Sequence, residues 1–232
     1  MKASKLFLIG LFFSFILLAT PAFADSIELI GATGPVVGGV YVAPYQLQDS
    51  AILGGATINV ICDDFSDDVV PNETWSAQVE TFSASGALGS GALFGALPNR
   101  QTLYDNAVYI YSEFLNGSAD AGGANYAIWG LFDPALVGST AYGSTDAAAL
   151  LAGVTQSELN NFDFSSYELI TPSGVGSTGT EPQEYIYQAT STPEPSSLLL
   201  LLSGLIGLGL MKRKVLGSLC PTQGKANSIL NR

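Results

Sequence analysis

The residues best suited to chemistry in this 232-residue chain are a cysteine and the carboxylates that follow it, Cys62-Asp63-Asp64-Phe65-Ser66-Asp67-Asp68. Carboxylate oxygens are hard donors, which makes Asp63, Asp64, Asp67 and Asp68 candidate calcium ligands. The run lacks the glycine and the distal glutamate of an EF-hand loop, so a solvated acidic turn after a strand is the plainer reading. Composition excludes much other chemistry. The chain has no histidine, which removes Ser-His-Asp and Cys-His catalysis and histidine-bound zinc. Between Asp25 and Pro195 it has no lysine, so Schiff-base and Ser-Lys chemistry go too. It contains no P-loop and no dinucleotide fingerprint. Paired carboxylates of the glycosidase kind remain, but 20 acidic residues always supply pairs, so that signal selects nothing. The expectation is a protein without catalysis or cofactor, calcium being the one ion its residues invite. A carbohydrate-active enzyme is the rival that this chemistry leaves open.

The charges are segregated. All 20 acids lie between Asp25 and Pro195, where Arg100 is the one base, a net charge of −19 for that stretch. Such a surface repels phosphate backbones, which excludes nucleic acid as a partner. Divalent cations or a hydrated polysaccharide suit it better. The other bases sit towards the two ends. Lys2 and Lys5 precede an apolar run from Leu6 to Ala19, and Ala22 and Ala24 form the small-x-small pattern of a signal peptidase site. Residues 1–24 are therefore predicted to be a signal peptide, cut after Ala24. Near the other end, Pro193-Glu194-Pro195 leads into an apolar run, Leu198 to Met211, closed by Lys212-Arg213-Lys214. As a helix that run rises roughly 21 Å, short of the about 30 Å of a bilayer core. The basic triplet is expected on the cytoplasmic side. Residues 193–214 thus read as a short transmembrane helix that tethers a precursor until it is processed, and 215–232 as a cytoplasmic tail. Cys62 and Cys220 then fall on opposite sides of the membrane, leaving Cys62 a lone extracytoplasmic thiol.

Between these ends, residues 25–172 carry the apolar content of one domain, with 173–192 as a late strand and linker. Strands are predicted at Ser26 to Ile30, Gly39 to Leu47, Thr57 to Cys62 and Thr74 to Phe82, from alternation or a β-branched run. Ser83 to Pro98 reads as a Gly/Ala loop. Helices follow: Asn99 caps one that ends at Asn116-Gly117, and others cover Asn125 to Phe132, Ser144 or Thr145 to Leu151, and Gln156 to Phe162. Two late strands are predicted at Tyr167 to Thr171 and Glu184 to Ala189. Strands first and helices second give an α+β domain, flanked by the signal peptide and the hydrophobic sorting helix.

Two resemblances add to this. Pro193-Glu194-Pro195, the Ser196-Ser197 spacer, the Leu/Gly-rich run and Lys212-Arg213-Lys214 resemble the PEP-CTERM sorting signal of Gram-negative bacteria. That resemblance implies recognition by an exosortase, removal of the tail near the tripeptide, and transfer to the cell envelope or exopolysaccharide. It describes an address and not an activity. Members usually stop soon after the basic cluster, whereas Val215 to Arg232 follow it here. The second lies in the middle of the chain. Val60-Ile61-Cys62-Asp63-Asp64 looks like the Cys segment of bacterial thioester adhesin domains, and Ala124-Asn125-Tyr126-Ala127-Ile128-Trp129 looks like their Gln segment. In that family the Cys sulfur and the Gln carbonyl form an internal thioester that surface nucleophiles attack. Asn125 stands at the Gln position and is one methylene shorter, so the resemblance implies a related scaffold with the reactive bond lost. Together these readings predict a non-enzymatic, exported surface or extracellular-matrix protein with a structural or adhesive role. Its expected partners are signal peptidase, exosortase and exopolysaccharide. A thioester-type adhesin built on Cys62 and Asn125 is the alternative.

Overall fold

A computed structural model describes residues 25–49, 55–68, 70–83, 88, 91–189 and 203. The chain divides into units 1–189 and 190–232, and all the strands and α-helices named below belong to the first. The predicted signal peptide and, Ser203 apart, the sorting segment lie outside the described residues.

Among the described residues of the first unit, eight strands and five α-helices run in the order β1 (Asp25–Ala32), β2 (Val36–Val37), β3 (Val40–Tyr41), β4 (Tyr45–Asp49), β5 (Thr57–Cys62), β6 (Thr74–Thr81), α1 (Arg100–Leu115), α2 (Ala121–Phe132), α3 (Thr140–Gly143), α4 (Ala147–Gly153), α5 (Gln156–Asn161), β7 (Tyr167–Pro172) and β8 (Tyr185–Gln188). Six strands close into a barrel of order β1-β4-β5-β8-β7-β6, and β2 pairs with β3 as a separate hairpin. Every pairing is antiparallel: Leu47 opposes Ile58, Ile61 opposes Ile186, Ile170 opposes Tyr185, and Ile27 opposes Trp75 where β1 closes on β6.

Side chains on a strand alternate between faces, so each strand feeds two layers. Ile27, Leu29, Leu47, Val60, Cys62, Trp75, Ile170 and Tyr185 pack together as the barrel interior. Their sequence neighbours Ile61, Leu169 and Ile186 turn outwards, onto Tyr104, Val108 and Tyr111 of α1 and Ile128 of α2. Each of these buried aliphatic side chains contributes about 1.5–3 kcal/mol by leaving water. The two layers lock the helices to the barrel wall.

The α+β expectation is overturned, because the molecule is a closed barrel with its helices inserted between β6 and β7. The late strands are not an appendage. β8 hydrogen-bonds to β5 and β7 to β6, so together they fill the gap that the first-half strands leave. Order along the chain records which elements exist, whereas closure depends on pairings more than 100 residues apart, such as Cys62 with Tyr185. The flanking transmembrane helix predicted within residues 193–214 lies, Ser203 apart, outside the described residues. No helix among the described residues is long and apolar enough to cross a membrane.

Most element positions agree with the sequence reading, and two do not. Gly39 to Leu47 is not one strand: it divides into the β2–β3 hairpin partner and β4, separated by the cis Ala43–Pro44 peptide bond. Helix α2 starts four residues before Asn125, capped by Asp120, whose carboxylate accepts from the Gly123 N–H at 2.8 Å. Gly122 and Gly123 discourage a helix by propensity. Here they permit close packing, since a Cβ on Gly122 would meet Val37 at 3.2 Å and one on Gly123 would meet Leu150 at 3.2 Å.

Candidate functional site

The end of β5, the turn after it and the middle of α2 meet at one mouth of the barrel. Cys62 and Asn125 come together there, both fully buried. The Asn125 amide is a clasp between three segments. Its Nδ2 donates to the Cys62 carbonyl at 2.9 Å, and its Oδ1 accepts from the Ala43 N–H at 2.5 Å. The Cys62 thiol donates to the Asp64 carbonyl at 2.9 Å. Burial pushes that thiol well above its usual range, the Asp63 and Asp64 charges add to the rise, and hydrogen bonding from the Asp64 backbone and Trp129 acts against it. A thiol held protonated is a poor nucleophile. The amide that would have to meet it is spent on backbone groups.

The acidic run that follows is split between three environments. Asp63 is fully buried, and neither of its oxygens has an N–H or hydroxyl donor. It faces the buried carboxyl of Glu184, whose charge adds to the rise that burial gives Asp63. Burial raises both groups above the ordinary carboxylate range, since two such charges cannot both ionise in a dry site. Glu184 is otherwise well supplied: it accepts from the Tyr104 and Thr171 hydroxyls and, at 2.8 Å, from the Leu93 N–H. Asp64 turns back on its own loop, accepting from the Ser66 N–H at 2.8 Å. Burial, then its hydrogen bond with Asp67, pushes Asp64 up to about 7. Asp68 is exposed and borders an open cavity. Asp63, Asp64 and Asp68 thus face different surroundings, and no three His, Cys, Asp or Glu side chains form a metal-sized group among the described residues.

That cavity is the third component. It has a volume of 590 Å³, within the ~300–1,000 Å³ range of small-molecule sites. Tyr41, Tyr45, Phe65 and Trp129 give it aromatic walls, and Asp68 and Gln183 give it polar ones. Its side on the β2–β3 hairpin is fixed to α2, because the Tyr126 hydroxyl donates to the Val37 carbonyl at 3.1 Å. Gln183 is fixed too: its Nε2 donates to the Asp64 and Asp67 carbonyls, and its Oε1 accepts from the Tyr185 hydroxyl.

Sequence reasoning placed Cys62, Asn125 and the four aspartates but missed Glu184, Gln183 and the cavity. Glu184 opens the late strand predicted from Glu184 to Ala189 and Gln183 directly precedes it, but only the β5–β8 pairing carries them to the end of β5. The one local signal was the short apolar run Tyr185-Ile186-Tyr187 immediately after them.

Comparison with known proteins gives the chain an address. It carries a protein-sorting motif close to its C-terminus. This is the PEP-CTERM protein-sorting motif, matched over residues 191–214, and it marks an exported protein with an exosortase as its processing partner. Pro193, Glu194, Pro195, Lys212, Arg213 and Lys214 all fall inside the match. No curated protein and no solved structure matches the chain, and the resemblance to thioester adhesin domains gains no support from these comparisons. The predicted signal peptidase site, Ala22 and Ala24, and the sorting residues lie outside the described residues.

Proposed function

We propose that the chain is a non-enzymatic binding protein of the cell envelope or extracellular matrix. In this reading signal peptidase removes residues 1–24, an exosortase removes the tail, and the barrel then serves a structural or adhesive role. The observation that carries it is the separation of chemistry from access. Asp63 and Glu184, the fully buried carboxyl pair of the site, are sealed at 0 % exposure, whereas the open cavity has a single carboxylate among its lining residues, Asp68. An acid pair that never meets solvent has no substrate to act on. A preformed, rigid-walled cavity can hold a ligand without altering it.

The test is genetic and biochemical. Cells lacking the protein should lose surface attachment or matrix cohesion, and cells carrying alanines at Pro193, Glu194 and Pro195 should retain the unprocessed chain and show the same loss. Normal attachment and an intact matrix in both strains would overturn the reading.

A further inference from the structure

We infer that the cavity at the barrel mouth takes an uncharged pyranose oligosaccharide, an inference that rests on the binding reading above. Its walls combine two chemistries that few ligand classes satisfy together. Phe65 and Trp129 pack on each other with ring centroids 5.1 Å apart, and Trp129 is backed in turn by Tyr126 at 5.1 Å. The Tyr45 hydroxyl donates to the Tyr41 carbonyl at 2.6 Å. These rings are therefore held in place before any ligand arrives, which lowers the entropic cost of binding. Tyr41 alone projects at the rim, 58 % exposed, and supplies a free aromatic face.

The polar groups narrow the choice. No lysine, arginine or histidine lines the cavity, and the sole base between Asp25 and Pro195, Arg100, lies on α1. Phosphate, sulfate and carboxylate ligands would meet a carboxylate and a strongly negative surface without a counter-charge. A wholly apolar ligand would strip water from Asp68 and give nothing back. A pyranose ring avoids both costs. Its C–H face lies on an aromatic ring, and its hydroxyls donate to the Asp68 carboxylate and to the remaining lone pair of the Gln183 carbonyl.

The experiment titrates the exported protein, purified from cells, with cellotriose, maltotriose, mannotriose and N,N′,N″-triacetylchitotriose, and with trigalacturonate as the anionic control. Calorimetry and tryptophan emission are read together. At least one uncharged trisaccharide should bind saturably and shift the emission, and trigalacturonate should not. Tyr41→Ala should weaken binding about tenfold or more, as loss of an aromatic anchor does, with the melting temperature unchanged because that ring is exposed. Asp68→Asn should weaken it as well. Absence of binding to all four uncharged sugars, equal binding of trigalacturonate, or full affinity in both variants would overturn the inference. If attachment depends on the protein while no sugar binds, the saccharide inference fails and the adhesive reading stands.

Discussion

Asn125 bridges two buried backbone groups from different segments, the Ala43 N–H and the Cys62 carbonyl. Truncation to Asn125→Ala takes a hydrogen bond from each in a dry site, at a cost of about 3 kcal/mol, and thermal or urea unfolding of the purified protein measures it directly. The same bonds keep the amide from the thiol. Intact mass of the exported protein should show no loss of ammonia, and one thiol should alkylate only after denaturation; an ammonia-deficient species would show that a thioester forms after all. The carboxyls make a separate prediction about pH. Asp64 rises from its ordinary 3.8 to about 7, and Asp63 and Glu184 rise as well. A carboxyl that binds its proton more tightly when folded contributes stability that is full below its unfolded value and lost as pH climbs through its folded one. Glu73 acts in the opposite sense. Burial works to raise it, but the Thr178 and Thr180 hydroxyls and the Val70 N–H outweigh that and lower it, so its contribution is present above 4.5 and lost as pH falls. Asp105 is raised by burial too, and Glu158 and Asp163 are lowered by hydrogen bonds from Thr155 and Ser165; the lowered groups lose their contribution only as pH falls below their ordinary values, so the raised groups leave a net decline above about pH 5. The melting temperature should fall between about pH 5 and pH 8, and Asp64→Asn should flatten the part of that fall below about 7. A melting temperature that climbs over the same interval would contradict the assigned protonation states.

The loop between β7 and β8 shows how an element without regular structure is fixed. It wraps the Glu73 carboxylate, which takes hydrogen bonds from Thr178 and, at 2.8 Å, from Thr180. Ser177 is tied to β6 through its N–H to the Thr74 carbonyl at 2.8 Å. Gly176 passes so close that an added Cβ would lie 2.1 Å from the Glu73 Oε1. Gly176→Ala must therefore push the loop off its anchor, at a cost of about 1–3 kcal/mol from overpacking. The expected result is a lower melting temperature together with new protease cleavage within residues 173–181. Nothing local in Pro172 to Pro182 announces this. By its Ser/Thr/Gly composition the stretch reads as either a hairpin loop or the start of a stalk, and it proves to be the loop of the β7–β8 hairpin, but its partner Glu73 is about 100 residues away in sequence. The strands Thr57–Cys62 and Thr74–Thr81 and the helix Arg100–Leu115 were legible because their periodicity is a property of neighbouring residues. Barrel closure and the Asp63–Glu184 pair were not, for they exist only once β8 lies beside β5. The Cys62–Asn125 contact was approachable from two short segments, but the backbone role of Asn125 depends on Ala43, which no motif names.

At the scale of the whole molecule, charge sets the balance. Between Asp25 and Pro195, 20 acids face one arginine, so nearly every charged pair on the folded surface is a repulsive one. Burial raises Asp63 and Glu184 and so favours their neutral forms where charge would be most costly, but the exposed acids have no such recourse. Compaction brings those exposed charges closer than in the unfolded chain, so their repulsion works against the native state. Salt screens interactions beyond about 10 Å at 0.1 M and about 3 Å at 1 M, and it weakens repulsion more in the compact form. Added sodium chloride should therefore raise the melting temperature steadily through the range in which electrostatic screening dominates. Magnesium chloride at the same ionic strength should give a similar curve, because among the described residues no carboxyl group is arranged to hold a divalent ion. A large extra stabilisation by calcium or magnesium at micromolar concentration would instead reveal a site that assembles only when the ion is present. Flat stability from low to high sodium chloride would mean that self-repulsion is not what limits this fold.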